Sequence, residues 1–204
     1  MLDLVFPVTG TSLPTDHAYQ LYGALCGLLP VFHVDESPMR FACVTGEANP
    51  DGNLRLGDRS ILRVRLADDA VKLALPLAGR NLTVGDSIIR LGVPSFRTLE
   101  PAASLVARIV TFKNADTPEQ FLATARSKLA DLGVAGEPQL PIHLSGERAG
   151  EPKRRVVRIK GVTITGYATV VAELSAEHSL VLQEKGLGGR THIGCGFFSP
   201  AKLG

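Results

Sequence analysis

A chain of 204 residues with 45% hydrophobic and 21% charged residues holds enough apolar material for one large domain or two of about 100 residues each, which excludes a disordered tail. Aromatic residues make up only 5% and tryptophan is absent, which argues against an extended aromatic platform for stacked bases. The net charge of +2 is unevenly spread: residues 1–100 carry 9 Lys+Arg against 11 Asp+Glu and residues 101–204 carry 13 against 9, so the second half is the one suited to face a polyanion.

Cys26, Cys43 and Cys195 form an odd, widely spaced set with no CxxC pair. That pattern argues against a disulfide framework or a cysteine-rich zinc site and fits a reducing cytoplasm. The N-terminus reaches Pro7 without a basic region, so a signal peptide is not expected, and no apolar run approaches membrane-spanning length.

In chain order, Leu2 to Val8 reads as a strand. Thr15 or Asp16 caps a helix on which Ala18, Leu21, Tyr22, Leu25, Leu28 and Leu29 recur at helical spacing until Pro30 stops it. Met39 to Val44 and Ser60 to Leu66 read as strands around a turn-rich stretch. Asp68 to Leu77 is a short helix and Asp86 to Leu91 a last strand. The order strand, helix, strand, strand, helix, strand is the ferredoxin-like arrangement. Val93 to Ala103, broken by Pro94 and Pro101, reads as an irregular passage between domains, giving an N-terminal domain 1–93 and a C-terminal domain 94–204.

Ser104 to Lys113 opens the second half as a strand. Thr117, Pro118 and Gln120 start a helix with a capping box, Phe121, Leu122, Ala125, Leu129 and Leu132 form its apolar face, and Gly133 ends it. Strands follow at Pro138 to Leu144, Arg154 to Lys160 and Val162 to Val171. Ser175 caps a helix through Lys185, and a strand at Cys195 to Ser199 closes the chain. The same order thus occurs twice, which predicts an α+β fold of two ferredoxin-like (RRM-like) domains packed side by side, with a glycine-rich loop before the last strand.

That loop, GLGGRTHIGCGF from Gly186 to Phe197, packs five glycines into twelve residues beside Arg190 and His192. Glycine at such density implies close backbone approach or positive φ, and a nest of free N–H groups beside an arginine suits phosphate oxygens. Gly186, Gly188, Gly189, Arg190, His192, Gly194 and Gly196 are therefore candidate phosphate contacts for an RNA or DNA backbone. KRRVVRIK adds Lys153, Arg154, Arg155, Arg158 and Lys160. As a strand it sets Arg154, Arg158 and Lys160 on one face, with Val157 and Ile159 on the other.

His33, where the first helix gives way to a polar loop beside Asp35 and Glu36, is the leading candidate for proton transfer near neutral pH. It suits attack of an RNA 2′-hydroxyl on the adjacent phosphate, as base or as acid. His17 in the first helical turn competes for the role, Tyr22 is placed to donate to a phosphate, and His192 is a third histidine able to enter phosphate chemistry. His143 and His178 lack partners in the sequence. No HExxH or Walker pattern is present, and no cofactor or metal is expected.

These residues carry a family resemblance. LDLVFPVTG (Leu2 to Gly10), LPTDHAYQLYGAL (Leu13 to Leu25), LLPVFHVDE (Leu28 to Glu36), RIKG (Arg158 to Gly161) and LSAEHSLVLQEKGLGGRTHIGCGFFSP (Leu174 to Pro200) resemble the CRISPR-associated repeat-RNA endoribonucleases, most of all their compact myxobacterial subgroup. The resemblance implies a tandem ferredoxin-like fold that binds repeat RNA, cuts it without metal to a 2′,3′-cyclic phosphate, and holds the mature CRISPR RNA for an interference complex. A helix-exit histidine in that family matches His33, a histidine within the helix matches His17, and the glycine loop matches an RNA-backbone contact. A catalytically weak RNA-binding subunit of the same complex is the alternative.

Overall fold

The computed structural model describes residues 1–33 and 37–201, and they divide into two compact units, Met1–Thr98 with His192–Gly194, and Leu99–Thr191 with the residues from Cys195 onward. The division follows Thr98 because 95–98, expected to be irregular, form a strand. Asp35 and Glu36, considered above as partners of His33, lie outside the described residues.

In the first unit the elements are β1 (Leu2–Thr9), β2 (Ser12–Pro14), α1 (Ala18–Leu28), a 3-10 turn (Pro30–His33), β3 (Met39–Phe41), β4 (Glu47–Ala48), β5 (Asn53–Arg55), β6 (Ile61–Leu66), α2 (Val71–Ala74) between two 3-10 turns, β7 (Asn81–Val84), β8 (Ser87–Leu91) and β9 (Ser95–Thr98). The main sheet runs β3-β6-β1-β8-β7, with β9 also on β1, and every pairing is antiparallel. The first and third strands of the βαββαβ motif lie side by side at its centre, as the ferredoxin-like order requires. Alternation sends Leu4, Phe6, Leu62, Val64 and Leu66 to one face, where Leu21 and Leu25 of α1 complete a fully buried core.

The opposite face carries charge. Asp3 accepts two hydrogen bonds from Arg65, Nε to Oδ1 at 2.7 Å and the terminal nitrogen to Oδ2 at 2.9 Å, with the two side chains 8% and 2% exposed. Asp3, a charged residue within an otherwise apolar strand, thus has a cross-strand partner that satisfies it in the interior.

Three short features were absent from the expected order. β7 and β8 form a hairpin where one strand was expected, β9 covers part of the supposed linker, and the turn-rich stretch after β3 supplies β4 and β5 to a small sheet β2-β5-β4. In addition, α1 is capped at His17, not Thr15 or Asp16, with no side-chain cap bond, and the Thr15 hydroxyl donates to the Gly52 carbonyl instead.

The second unit contains β10 (Leu105–Val110), α3 (Pro118–Asp131), β11 (Glu137–Gln139), β12 (Arg154–Ile159), β13 (Val162–Ala172), α4 (Ala176–Lys185), a 3-10 turn (Thr191–Ile193) and β14 (Phe198–Pro200). Its sheet runs β11-β13-β10-β14, with β12 on the far half of β13. The ferredoxin-like order is therefore repeated. α3 begins with the expected capping box: Gln120 N–H donates to the Thr117 hydroxyl, and Thr117 N–H donates to the Gln120 side chain. Phe121, Ala125 and Leu129 are its buried residues, while Leu122 and Leu132 stay half-buried. No helix is long and apolar enough to cross a membrane among the described residues.

Candidate functional site

In the first unit, three side chains from three chain segments meet. Tyr22 stands on α1, half-buried, with its hydroxyl 3.2 Å from His33 Nδ1. His33 is exposed at the end of the 3-10 turn, which is anchored by Phe32, 2% exposed and edge-on to Phe41. His192, also exposed, sets its ring T-shaped against that of Tyr22 at a centroid distance of 5.4 Å. Next to it Ile193 is buried, and Gly194, with φ +85°, is tightly packed: a Cβ there would lie 3.3 Å from both the carbonyl oxygen and the ring of Phe41. The sequence therefore pins both neighbours of His192 on its C-terminal side and leaves the imidazole at the surface.

Cys26 lies one turn after Tyr22 and is hydrogen-bonded to it; burial pushes its thiol up, and the contact with Tyr22 opposes that rise. The phenol hydroxyl thus has both Cys26 and His33 Nδ1 within reach. A phenol oxygen that accepts from Nδ1–H fixes the tautomer in which His33 Nε2 carries the lone pair.

His17 is elsewhere. It is fully buried, its Nδ1 is 2.7 Å from the Pro14 carbonyl oxygen, and its Nε2 accepts from Val44 N–H at 3.0 Å. Both ring nitrogens are engaged with backbone across three segments, so the expectation that His17 transfers protons to RNA fails on access. His143 is half-buried beside the loop at 149–151, and His178 Nδ1 accepts from Ala135 N–H.

Within the second unit the glycine loop is stitched to the sheet. Gly189 N–H donates to the Thr111 carbonyl at 2.8 Å, the Thr111 hydroxyl donates to the Gly189 carbonyl at 3.1 Å, and Gly196 N–H donates to the Ile109 carbonyl at 2.8 Å. Gly186 N–H is used by Leu182 and Cys195 N–H by Arg190. The amides of Gly186, Gly189 and Gly196, expected to form a phosphate nest, are thus occupied inside the protein. The glycines serve close approach: a Cβ on Gly188, at φ +86°, would sit 2.7 Å from the Thr111 carbonyl oxygen. Arg190, itself at φ +60°, remains as the loop's cation.

The basic segment also departs from a simple strand face. Arg154 and Arg158 are exposed on β12 as expected, and Arg154 donates to the Thr165 hydroxyl at 3.1 Å. Lys160 leaves the alternation: at φ +49°, followed by Gly161 at φ +82°, it forms the two-residue turn between β12 and β13. Lys153 precedes the strand, with its N–H donated to the Pro141 carbonyl. Arg155 sits on the Val157 face, where burial first, and then the charges of Arg108 and Arg148, push its guanidinium down. Arg108 was missed from sequence; its signal is a lone cation in the otherwise apolar LVARIV of β10.

A second cationic group was hidden by the acidic balance of residues 1–100. Along one face of the first sheet, Arg40 pairs with Arg65 across β3 and β6, and Asp3 opposes both Arg65 and Arg97. Burial and then Arg65 push Arg40 down; for Arg63 burial dominates, partly offset by Asp3.

Two units with the ferredoxin-like strand order, one carrying an imidazole held by a phenol and both carrying guanidinium groups on their sheets, make this a tandem ferredoxin-like protein. The sequence matches the family described as "Cas6 Crispr" over residues 2–203. It is 42% identical over 199 residues to the CRISPR-associated endonuclease Cas6 of Myxococcus xanthus (strain DK1622), covering 98% of this chain and 81% of that protein. The chain belongs to the Cas6 family. Among solved structures, the fold resembles a RAMP protein binding different RNA substrates, with a TM-score of 0.70, 15% identity, and 99% and 100% of the two chains covered. A Cas6-related protein from Pyrococcus furiosus gives a TM-score of 0.66 at 14% identity over 100% and 99% of the chains.

Proposed function

We propose that this protein is a metal-independent endoribonuclease that binds CRISPR repeat RNA and cuts it by attack of a 2′-hydroxyl on the adjacent phosphate. The observation that carries the reading is the 3.2 Å contact between the Tyr22 hydroxyl and Nδ1 of an exposed His33, in a chain of the Cas6 family. Held in this way, His33 offers Nε2 to the hydroxyl proton, the role of a general base. Arg154, Arg155, Arg158 and Arg108 supply cations for the RNA backbone from the second unit, joined by Lys153, Lys160 and Arg190. The aromatic-poor composition favours a grip on phosphate over base stacking.

The product RNA carries a 2′,3′-cyclic phosphate, and the protein works in the cytoplasm, keeping the mature RNA within an interference complex. The test is cleavage of repeat RNA in chelator, with a 2′-deoxy residue just upstream of the scissile phosphate as control. Cleavage that stops on deoxy substitution while binding persists supports the reading. Tight binding with no cleavage of the all-ribose repeat would instead make the protein a binding subunit.

A further inference from the structure

We infer that His192 is the second proton-transfer residue of this site, acting as the acid that protonates the departing 5′-oxygen while His33 acts as the base. The inference rests on the function proposed above and deepens it, since the glycine loop then contributes to the chemistry and not only to RNA binding.

Three observations carry it. First, His192 meets the site: its ring lies 5.4 Å from that of Tyr22 in a T-shaped arrangement, and residues 192–194 belong to the first unit although the loop on either side belongs to the second. Second, Tyr22 lies against both imidazoles, with centroid distances of 6.3 Å to His33 and 5.4 Å to His192, so the two ring centres are at most about 12 Å apart, a limit that admits the span of a scissile phosphate. A phosphate with its entering and leaving oxygens, hydrogen-bonded at both ends, needs about 9 Å between the two nitrogens. Third, the loop is built for fixed placement. Ile193 is 1% exposed, and Gly194, at φ +85°, packs closely on Phe41 and Cys43, so the imidazole is positioned by buried neighbours.

The chemistry requires a partner for His33. As the 2′-hydroxyl gives its proton to His33 Nε2, its oxygen forms a bond to phosphorus. The bond from phosphorus to the 5′-oxygen breaks with its electron pair on that oxygen, which takes a proton from the His192 imidazolium. The products are a 2′,3′-cyclic phosphate and a 5′-hydroxyl. No proton is gained or lost overall, and the two histidines exchange charge states that solvent then resets. Tyr22 sets the division of roles: with its oxygen accepting from Nδ1–H, Nε2 of His33 is left to accept, while the His192 ring stands T-shaped against the phenol ring. The other titratable groups in the cluster are Tyr19, whose ring is 6.5 Å from that of Tyr22, and Cys26, hydrogen-bonded to Tyr22; Cys43 underlies Gly194.

A sulfur leaving group tests this directly, because a thiolate departs without protonation. Repeat RNA with a bridging 5′-phosphorothiolate at the mapped cleavage position is compared with the all-oxygen RNA, using the full chain in chelator and the variants His192→Ala, His192→Gln and His33→Ala. His192→Ala and His192→Gln are expected to slow the oxygen substrate about 100-fold or more and to recover to within about 10-fold of wild type on the sulfur substrate. His33→Ala is expected to stay slow on both. Binding of the 2′-deoxy repeat should change less than about 3-fold for a residue that acts by proton transfer. The glutamine variant retains a polar side chain of similar size, so a folding defect confined to alanine does not mimic the result. Equal losses on the two substrates for both His192 variants, unchanged cleavage, or sulfur rescue of His33→Ala alone would each overturn the assignment. Failure of the wild-type protein to cut the oxygen RNA at all would remove the proposed function itself, and this inference with it.

Discussion

Tyr22 and His33, eleven positions apart in the chain, are joined by a contact of 3.2 Å between phenol oxygen and Nδ1. α1 delivers the tyrosine, Pro30 ends that helix, and the 3-10 turn locked by Phe32 brings the histidine back to it. An imidazole held at one nitrogen loses rotational freedom and keeps a defined tautomer, both of which favour a proton-transfer geometry.

Tyr22→Phe removes this hydroxyl while keeping the ring that packs on His192. The cleavage rate is expected to fall about 10-fold or more, equivalent to about 1.4 kcal/mol of barrier, with repeat affinity unchanged. Single-turnover cleavage alongside a binding titration separates the two. Loss of affinity with an unchanged rate would make Tyr22 an RNA contact and not a positioning group.

The glycine loop allows a contrast between neighbours. Gly188 has φ +86° and a Cβ position 2.7 Å from the Thr111 carbonyl oxygen, whereas at Gly189 the nearest atom to a Cβ is 3.7 Å away. Gly188→Ala is expected to lower stability by about 1–3 kcal/mol and to slow cleavage as the stitching to Thr111 shifts. Gly189→Ala should have a smaller effect on both. Thermal melts and cleavage rates of the two variants check the difference, and equal effects would refute a role for close approach.

How far the sequence was legible follows from the range of the interactions involved. The capping box of α3 and the doubled strand-helix order are local signals, and both hold. β9 was missed because Ser95–Thr98 is exposed throughout and gains its ladder only from β1, far away in sequence. Lys160 follows the alternating pattern of its strand on paper, yet the next residue is glycine and the chain turns there. Arg108 carried no motif; its meaning comes from Arg155 lying on the neighbouring side of β13. The amides of Gly189 and Gly196 leave the expected nest for the same reason, since nothing local tells that Thr111 and Ile109 take them up. The convergence of His33, Tyr22 and His192 was foreshadowed as three separate residues, but not as one cluster.

If Arg155 and Arg108 grip the RNA backbone, their removal changes affinity through counterion release. Each single alanine variant is expected to weaken repeat binding and to flatten the slope of log affinity against log salt by about one unit, with a similar loss on unrelated single-stranded RNA. Burial already pushes the Arg155 guanidinium down beside two like charges, a penalty that a bound phosphate would relieve. Fluorescence titrations over a salt series read the slope. An unchanged slope in both variants would move the RNA path off this part of the sheet.

His17 poses the opposite question, because a histidine in a helix's first turn invites a catalytic reading that its surroundings deny. Its imidazole is fully buried, with Nδ1 at the Pro14 carbonyl and Nε2 accepting from Val44 N–H, so it ties the entry of α1 to the segment after β3. Removing it leaves buried backbone polar groups to find other partners, at a cost of about 1–3 kcal/mol for each group left unsatisfied. His17→Ala is therefore expected to lower the denaturation midpoint clearly while the folded fraction, below that midpoint, cuts RNA at a rate within a few-fold of wild type. His33→Ala should show the reverse, with stability nearly kept and cleavage lost. The two histidines thus separate scaffold from chemistry by two measurements on each variant. A His17→Ala protein that melts like wild type and fails to cut would return His17 to the active site, and would require the structure around Val44 to open during the reaction.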